Sequence, residues 1–160
     1  MSNELKAILV IDMQEDYIGK KKGGRYNSYE LIKNINEHII EASQNGDLII
    51  YIKNKRINKR GEHVSELVTG LKIVSDYIVE KDSKSVFSND KLESILKDNN
   101  IETIEVNGID GCCCVAATAL DAVEKGYNVI FPLKYIGTLN EERFITKIRS
   151  KLLKSEINII

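Results

Sequence analysis

The sequence predicts a three-layer α/β/α sandwich built on a mainly parallel sheet of about six strands. Two observations carry that expectation. Short continuous apolar runs rich in β-branched residues, AILVI at 7–11 and LIIYI at 48–52, are too short for helices and have the character of strands buried on both faces. Between such runs lie segments whose apolar residues recur every three or four positions. Strands alternating with helices in this way close through crossovers into a parallel sheet with helices on both sides.

The first strand runs from Ala7 to Ile11 and ends at Asp12. From Tyr29 to Ala42 the apolar positions Leu31, Ile32, Ile35, Ile39 and Ala42 keep the helical period, and Asn45-Gly46 closes the helix. Leu48 to Ile52 forms the second strand and Tyr77 to Val79 a short third. Asn89 to Leu96 reads as a helix, Thr103 to Val106 as the fourth strand, and Val115 to Val123 as a helix with Gly126 behind it. Tyr127 to Phe131 is the fifth strand, Asn140 to Leu153 the final helix and Ile157 to Ile160 a last strand. No composition shift, linker or repeat divides the chain, so residues 1–160 are expected to form one domain. A chain of this length buries roughly 68–70% of its unfolded surface without needing covalent staples.

Charge and composition narrow the function classes. Lys plus Arg number 23 against 24 Asp plus Glu, a net charge of -1, which argues against nucleic acid or an anionic membrane as the main partner. The three cysteines are the consecutive Cys112, Cys113 and Cys114, which cannot staple distant segments and suit a reducing compartment. The chain begins with polar Met1-Ser2-Asn3-Glu4 and holds no apolar run near 18 residues, so a cytoplasmic location is expected.

In sheets of this kind reactive groups gather outside the carboxyl ends of the strands. Three positions meet that rule: Asp12 at the end of the first strand, Lys81 just after the third, and the cysteine run after the fourth. Singly, each has an ordinary explanation as a cap, a solvated lysine or a packed small residue. Together they suggest a nucleophile with a base. Cys114 sits where the loop gives way to a helix, whose free N–H groups favour a thiolate, whereas Cys112 and Cys113 lie in the turn. A histidine base is disfavoured, because His38 lies inside a helix and His63 in a loop. A carboxylate base, Asp12, with Lys81 holding charge, is the arrangement the residues support.

Clustered metal ligands at the usual spacings are absent, and side chains on consecutive cysteines do not readily converge on one ion, so no metal and no other cofactor is expected. Neither common phosphate-loop pattern occurs; GKKKGG at 19–24 lacks the Lys-Ser/Thr that would complete one.

These residues resemble the isochorismatase-like cysteine hydrolases, a family that includes nicotinamidases and N-carbamoylsarcosine amidase. The resemblance rests on Ile8-Leu9-Val10-Ile11-Asp12-Met13-Gln14 with Asp16-Tyr17, then Lys81 with Ser85-Val86-Phe87, then Gly108-Ile109-Asp110-Gly111-Cys112-Cys113-Cys114-Val115 with Thr118-Ala119 and Gly126-Tyr127. It implies a Rossmann-like fold of the isochorismatase type and an Asp12-Lys81-Cys114 triad that cleaves a C–N bond of a small amide or ureido compound through a thioester. It further implies a cis peptide between Ile109 and Asp110, an oxyanion hole made by the N–H groups of Asp110 and Cys114, and a homodimer or larger homo-oligomer. Gln14, Tyr17, Phe87 and Cys113 are its candidates for the substrate pocket.

Departures from the family pattern accompany the match. Nicotinamidases of this family hold a metal with an Asp and two His between the second and third strands, where this sequence offers only His63. Lys134 falls where many members carry Asp, and Gly111-Cys112 replaces a frequent Thr-Asp. The alternative reading from another class is a non-enzymatic member that binds a ligand or senses oxidant through its thiols. Two loops expected at the site are basic, Lys20, Lys21, Lys22 and Arg25 in one, Lys53, Lys55, Arg56, Lys59 and Arg60 in the other. They suggest an anionic, carboxylate-bearing small-molecule substrate, against the plain alternative of solvated loops balanced by acidic helices.

Overall fold

A computed structural model describes residues 5–160. The polar residues 1–4 that entered the cytoplasmic expectation lie outside the described part. Strand β1 (Lys6–Ile11) occupies the middle of a sheet together with β2 (Leu48–Asn54), β5 (Ile78–Lys81), β6 (Thr103–Ile109), β7 (Asn128–Phe131) and β9 (Asn158–Ile159). Their order is β5-β2-β1-β6-β7-β9, every pairing is parallel, and a two-residue strand β8 (Ile136–Gly137) pairs with the end of β6. The mainly parallel sheet of about six strands is the one the alternating pattern predicts.

The period of two along β1 divides the core. Ile8 and Val10 pack on one face with Ile35 and Ile39 of helix α2 (Ser28–Gln44), while Ala7, Leu9 and Ile11 pack on the other. That second face is covered by α3 (Asp90–Asp98), α4 (Cys114–Glu124) and the C-terminal helical segment, through Leu92, Ile95, Val115, Ala119, Phe144 and Leu152. The chain leaves β1 toward β2 on one side, whereas β6 lies on its other side. The gap between the carboxyl ends of β1 and β6 is therefore where strand order reverses, and it opens a crevice at the ends of these strands.

Several boundaries differ from the expected ones, and the reasons are visible in the pairing. The fourth expected strand stopped at Val106 because Asn107 interrupts the apolar run, yet β6 continues to Ile109 and every one of its residues is buried. The third expected strand, Tyr77 to Val79, is instead Ile78–Lys81, since Glu80 and Lys81 extend the ladder opposite Lys53 and Asn54 of β2. Lys81 is thus the last residue of a strand rather than the first of a loop. The basic segment after β2 contains an exposed antiparallel hairpin, β3 (Arg56–Asn58) and β4 (Gly61–His63), whose polar residues gave no apolar signal. His63 accordingly lies in a strand. A single helical turn, α1 (Glu15–Ile18), follows Gln14. The final helix spans α5 (Glu141–Arg143), a π-helical stretch at Phe144–Ile148 and α6 (Arg149–Lys154), with Asn140 capping its start by accepting from the Arg143 N–H.

Gly108 carries a requirement no other residue meets. Its φ is 108°, and a Cβ there would collide with the backbone carbonyl of Ile11, so only glycine lets β6 approach the end of β1 beside Asp12. Asp12 itself turns the chain with φ 56°, a left-handed conformation uncommon for a residue other than glycine and found often at functional positions.

Candidate active site

Asp12, Lys81 and Cys114 come from the ends of β1, β5 and the start of α4, and the fold brings them together. The Lys81 ammonium lies 3.2 Å from Asp12 Oδ2 and 3.5 Å from Cys114 Sγ, between the two. It also donates to Asn54 Oδ1 at 3.1 Å and to the backbone carbonyl of Ser83 at 3.0 Å. The side chain of Lys81 is wholly buried and that of Asp12 nearly so. A buried charge is tolerated only when paired and hydrogen-bonded, and the ammonium here has an oxygen acceptor for each of its three protons. Lys81 is therefore placed as a fixed cation.

The electrostatics correct one expectation. A thiol at a helix start was expected to be held as thiolate, but burial, reinforced by the neighbouring Asp12 charge, pushes Cys114 up to about 11 against the partial opposition of Lys81. Burial also raises the Asp12 carboxyl above its usual range, although Lys81 and the adjacent thiol both work against that rise. Burial thus disfavours the charged form of both groups, the thiol and the carboxyl. Asp12 Oδ1 is buried without a hydrogen-bond partner among the described residues, so it has a lone pair free to take a proton.

Near Cys114, the peptide between Ile109 and Asp110 is cis. The Asp110 carboxylate accepts the Cys112 N–H at 2.7 Å and the Leu139 N–H at 3.1 Å, tying the turn before Cys114 to the segment after β8. The Asp110 carbonyl accepts from Cys113 and Val115, while the N–H groups of Asp110 and Cys114 donate to no protein acceptor among the described residues. Two backbone donors at the turn into α4 are thus unengaged among the described residues. Cys112 is buried with its thiol against the Asn140 carbonyl, and burial raises its pKa as well.

Cys114 opens onto a cleft of about 400 Å³ whose walls include Asn54, Lys55, Arg56, Asp82, Ser83 and Lys84. A larger cavity of about 580 Å³ lies along α2, lined by Tyr29, Ile32 and Ile40 but by none of Asp12, Lys81 and Cys114; of these three, Cys114 lines the smaller one. None of the four expected pocket residues lines the Cys114 cleft. Gln14 is wholly buried with its amide bonded to backbone, and the Tyr17 hydroxyl oxygen accepts from Asn54 Nδ2. Phe87 is buried and stacks on Tyr127, and Cys113 packs against the core beneath α4. Of the two basic loops only the second reaches this cleft; Lys20, Lys21 and Lys22 line a separate depression with Glu15 and Thr69.

The residues missed in the sequence are Asn54, Ser83, Asp82 and Lys84. Asn54 ends the second strand at the same sheet edge as Asp12, and a strand drawn two residues longer would have found it. The metal donors of a zinc-binding site do not assemble here. Among the described residues no three His, Cys, Asp or Glu gather. Asp16 and His63 approach to 2.9 Å, and the Arg56 guanidinium lies on the same Asp16 Oδ2 at 2.5 Å. The carboxylate that would join His63 on a metal is thus already held by a cationic side chain, and these residues do not fit a metal ion. Among the described residues no helix is long and apolar enough to cross a membrane.

Comparison with known proteins shows the family. The isochorismatase domain family matches residues 6–150. Among curated relatives, the uncharacterized isochorismatase family protein YaaI of Bacillus subtilis is 28% identical, covering 98% of this chain and 95% of that protein. N-carbamoylsarcosine amidase of an Arthrobacter species is 37% identical over 62 residues, 39% of this chain but only 24% of the amidase. Among solved structures, an isochorismatase-like hydrolase from Alkaliphilus metalliredigens is 27% identical with a TM-score of 0.79, covering 98% of this chain and 94% of its own.

Proposed function

The chain belongs to the isochorismatase domain family, and on that premise we propose that it is a cysteine hydrolase acting, without a metal, on a C–N bond of a small amide or ureido compound. The observation that carries the proposal is the Lys81 ammonium held between the Asp12 carboxylate and the Cys114 sulfur at the strand-order reversal. The partial likeness to an amidase supports the bond type. Asp12 accepts the thiol proton as Sγ bonds to the substrate carbonyl carbon, and the oxyanion that forms is stabilised by the N–H groups of Asp110 and Cys114. Asp12 then gives the proton to the departing nitrogen as the C–N bond breaks, leaving a thioester on Cys114. Water attacks the thioester with Asp12 again as base, the acid leaves, and the thiol is restored. Lys81 keeps its protons and balances the charge as it passes between carboxylate and sulfur.

The charge of the cleft favours a substrate bearing a carboxylate. Lys55, Arg56 and Lys84 line it against Asp82. Arg56 is paired with Asp16, and Lys55 lies 3.8 Å from Glu62, but Lys84 makes no ion pair among the described residues. The redox-sensor reading is the weaker one, because oxidant-sensing cysteines are exposed and of low pKa, whereas Cys114 is pushed up to about 11.

The test is ammonia release and intact-mass analysis with a panel of carboxamides and N-carbamoyl amino acids. An acyl adduct on Cys114, with turnover lost in Cys114→Ala and retained in Cys112→Ala and Cys113→Ala, is the expected result. Equal losses at all three cysteines, or reversible oxidation with no acyl adduct, would defeat the proposal.

A further inference from the structure

The Lys81 side chain has four rotatable methylenes, so something must hold its ammonium in one place while charge moves around it. Two of its oxygen acceptors cannot do this alone. Asp12 loses its charge each time it takes the thiol proton, and the Ser83 carbonyl belongs to an exposed loop. The third acceptor, Asn54 Oδ1, is neutral throughout.

Asn54 is itself fixed from two sides. Its amide orientation follows from its partners, because an ammonium can only donate: the oxygen must face Lys81, and Nδ2 donates to the Tyr17 hydroxyl at 2.9 Å. Its backbone is clamped by Gln14, whose Oε1 accepts the Asn54 N–H at 2.7 Å and whose Nε2 donates to the Asn54 carbonyl at 3.3 Å and to that of Ser65 at 3.0 Å. Gln14 has no exposed surface. Strand register completes the arrangement by setting Asn54 opposite Lys81.

We infer that Asn54, oriented by Tyr17 and clamped by Gln14, is the positioning residue that holds the Lys81 ammonium between Asp12 and Cys114. The inference rests on the hydrolase reading for its meaning in turnover, but its geometry can be read without turnover. It also explains why Gln14 and Tyr17 accompany Asp12 closely in sequence: they act behind the site, through Asn54, and do not line the cleft.

The experiment uses the full chain carrying Cys112→Ala and Cys113→Ala, so that iodoacetamide reports on Cys114 alone. Asn54→Leu keeps the side-chain size and removes the acceptor; Asn54→Asp restores an acceptor oxygen. With Asn54→Leu, kcat on the best substrate of the amide panel should fall about tenfold with KM changed less than twofold. The acid limb of the kcat/KM profile should move to higher pH, because Lys81 lowers the Asp12 pKa. Alkylation of Cys114 at fixed pH should slow several-fold, because Lys81 also lowers the thiol pKa, and Asn54→Asp should recover much of the turnover. A folded Asn54→Leu protein with unchanged alkylation and pH profiles overturns the inference. Should Asn54→Leu fail to fold, Tyr17→Phe frees the Asn54 amide to rotate: a smaller shift of the same sign supports the inference and no shift overturns it. A parent protein that hydrolyses nothing in the panel while Asn54→Leu still slows alkylation overturns the hydrolase reading and leaves the positioning role standing.

Discussion

Replacing Asp12 by asparagine should move two observables in opposite directions. The Cys114 thiol is pushed up to about 11, first by burial and then by the Asp12 charge. At pH 7 that leaves about one thiol in 10⁴ ionised, equivalent to a cost of about 5 kcal/mol at 1.36 kcal/mol per unit. In the proposed mechanism a thiol so reluctant to ionise loses its proton during attack, and the proposed acceptor is the carboxylate of Asp12. Asp12→Asn removes that base, so kcat/KM should fall by about 10²–10⁴. The same substitution removes the negative charge that raises the thiol, and the Lys81 cation then acts on sulfur unopposed. Alkylation of Cys114 by iodoacetamide at pH 8 should therefore become faster, measured by mass in the Cys112→Ala, Cys113→Ala background. A fall in both rates, with the protein folded by its thermal melt, would refute the reasoning. It would mean that Asp12 organises the site sterically and that its charge does not govern the thiol.

Three other outcomes are expected. Gly108→Ala should destabilise the protein by about 1–3 kcal/mol from backbone conformation alone, with the clash at the Ile11 carbonyl adding to it, as chemical denaturation would show. Glu105 is buried, which by itself would raise its pKa, yet His38 at 2.5 Å and Lys6 at 3.0 Å pull the carboxyl below its usual value. Since its folded pKa is the lower one, its contribution to stability is complete above the unfolded value of 4.5 and is lost as pH falls through the folded value. Urea melts of Glu105→Gln against the parent should thus differ most near neutrality and converge in acid. Finally, Lys84→Ala should raise KM for a carboxylate-bearing substrate and flatten its dependence on ionic strength, leaving a neutral amide unaffected; equal effects on both substrates would discard the steering role.

Much of the architecture could be read from short-range pattern. The apolar runs before Asp12 and at 48–52 are strands because their length and branching suit nothing else, and α2 follows from its period with the Asn45-Gly46 stop. Asp12 and Cys114 were legible for the same reason, each marking the place where a pattern ends. The pattern was silent where polar residues continue a strand. Glu105 is buried in β6 because Lys6 and His38, which lie on other elements, pair with it, and Asn107 Nδ2 donates to the same carboxylate from within the strand.

The sequence by itself determined the layers and the sheet edge and singled out Asp12, Lys81 and Cys114 as candidates at that edge, because period and capping depend only on neighbours along the chain. What tertiary structure alone decided is how those side chains behave. The acceptors of Lys81 come from β1, β2 and the loop after β5, and its position follows from the register of Asn54 against Lys81. The thiol's reluctance to ionise comes from burial and from a carboxylate 102 residues away in sequence, as Asp12 is from Cys114. Such quantities sum over atoms that meet only after folding, because Coulomb energy and desolvation depend on distance and burial, which no local pattern encodes.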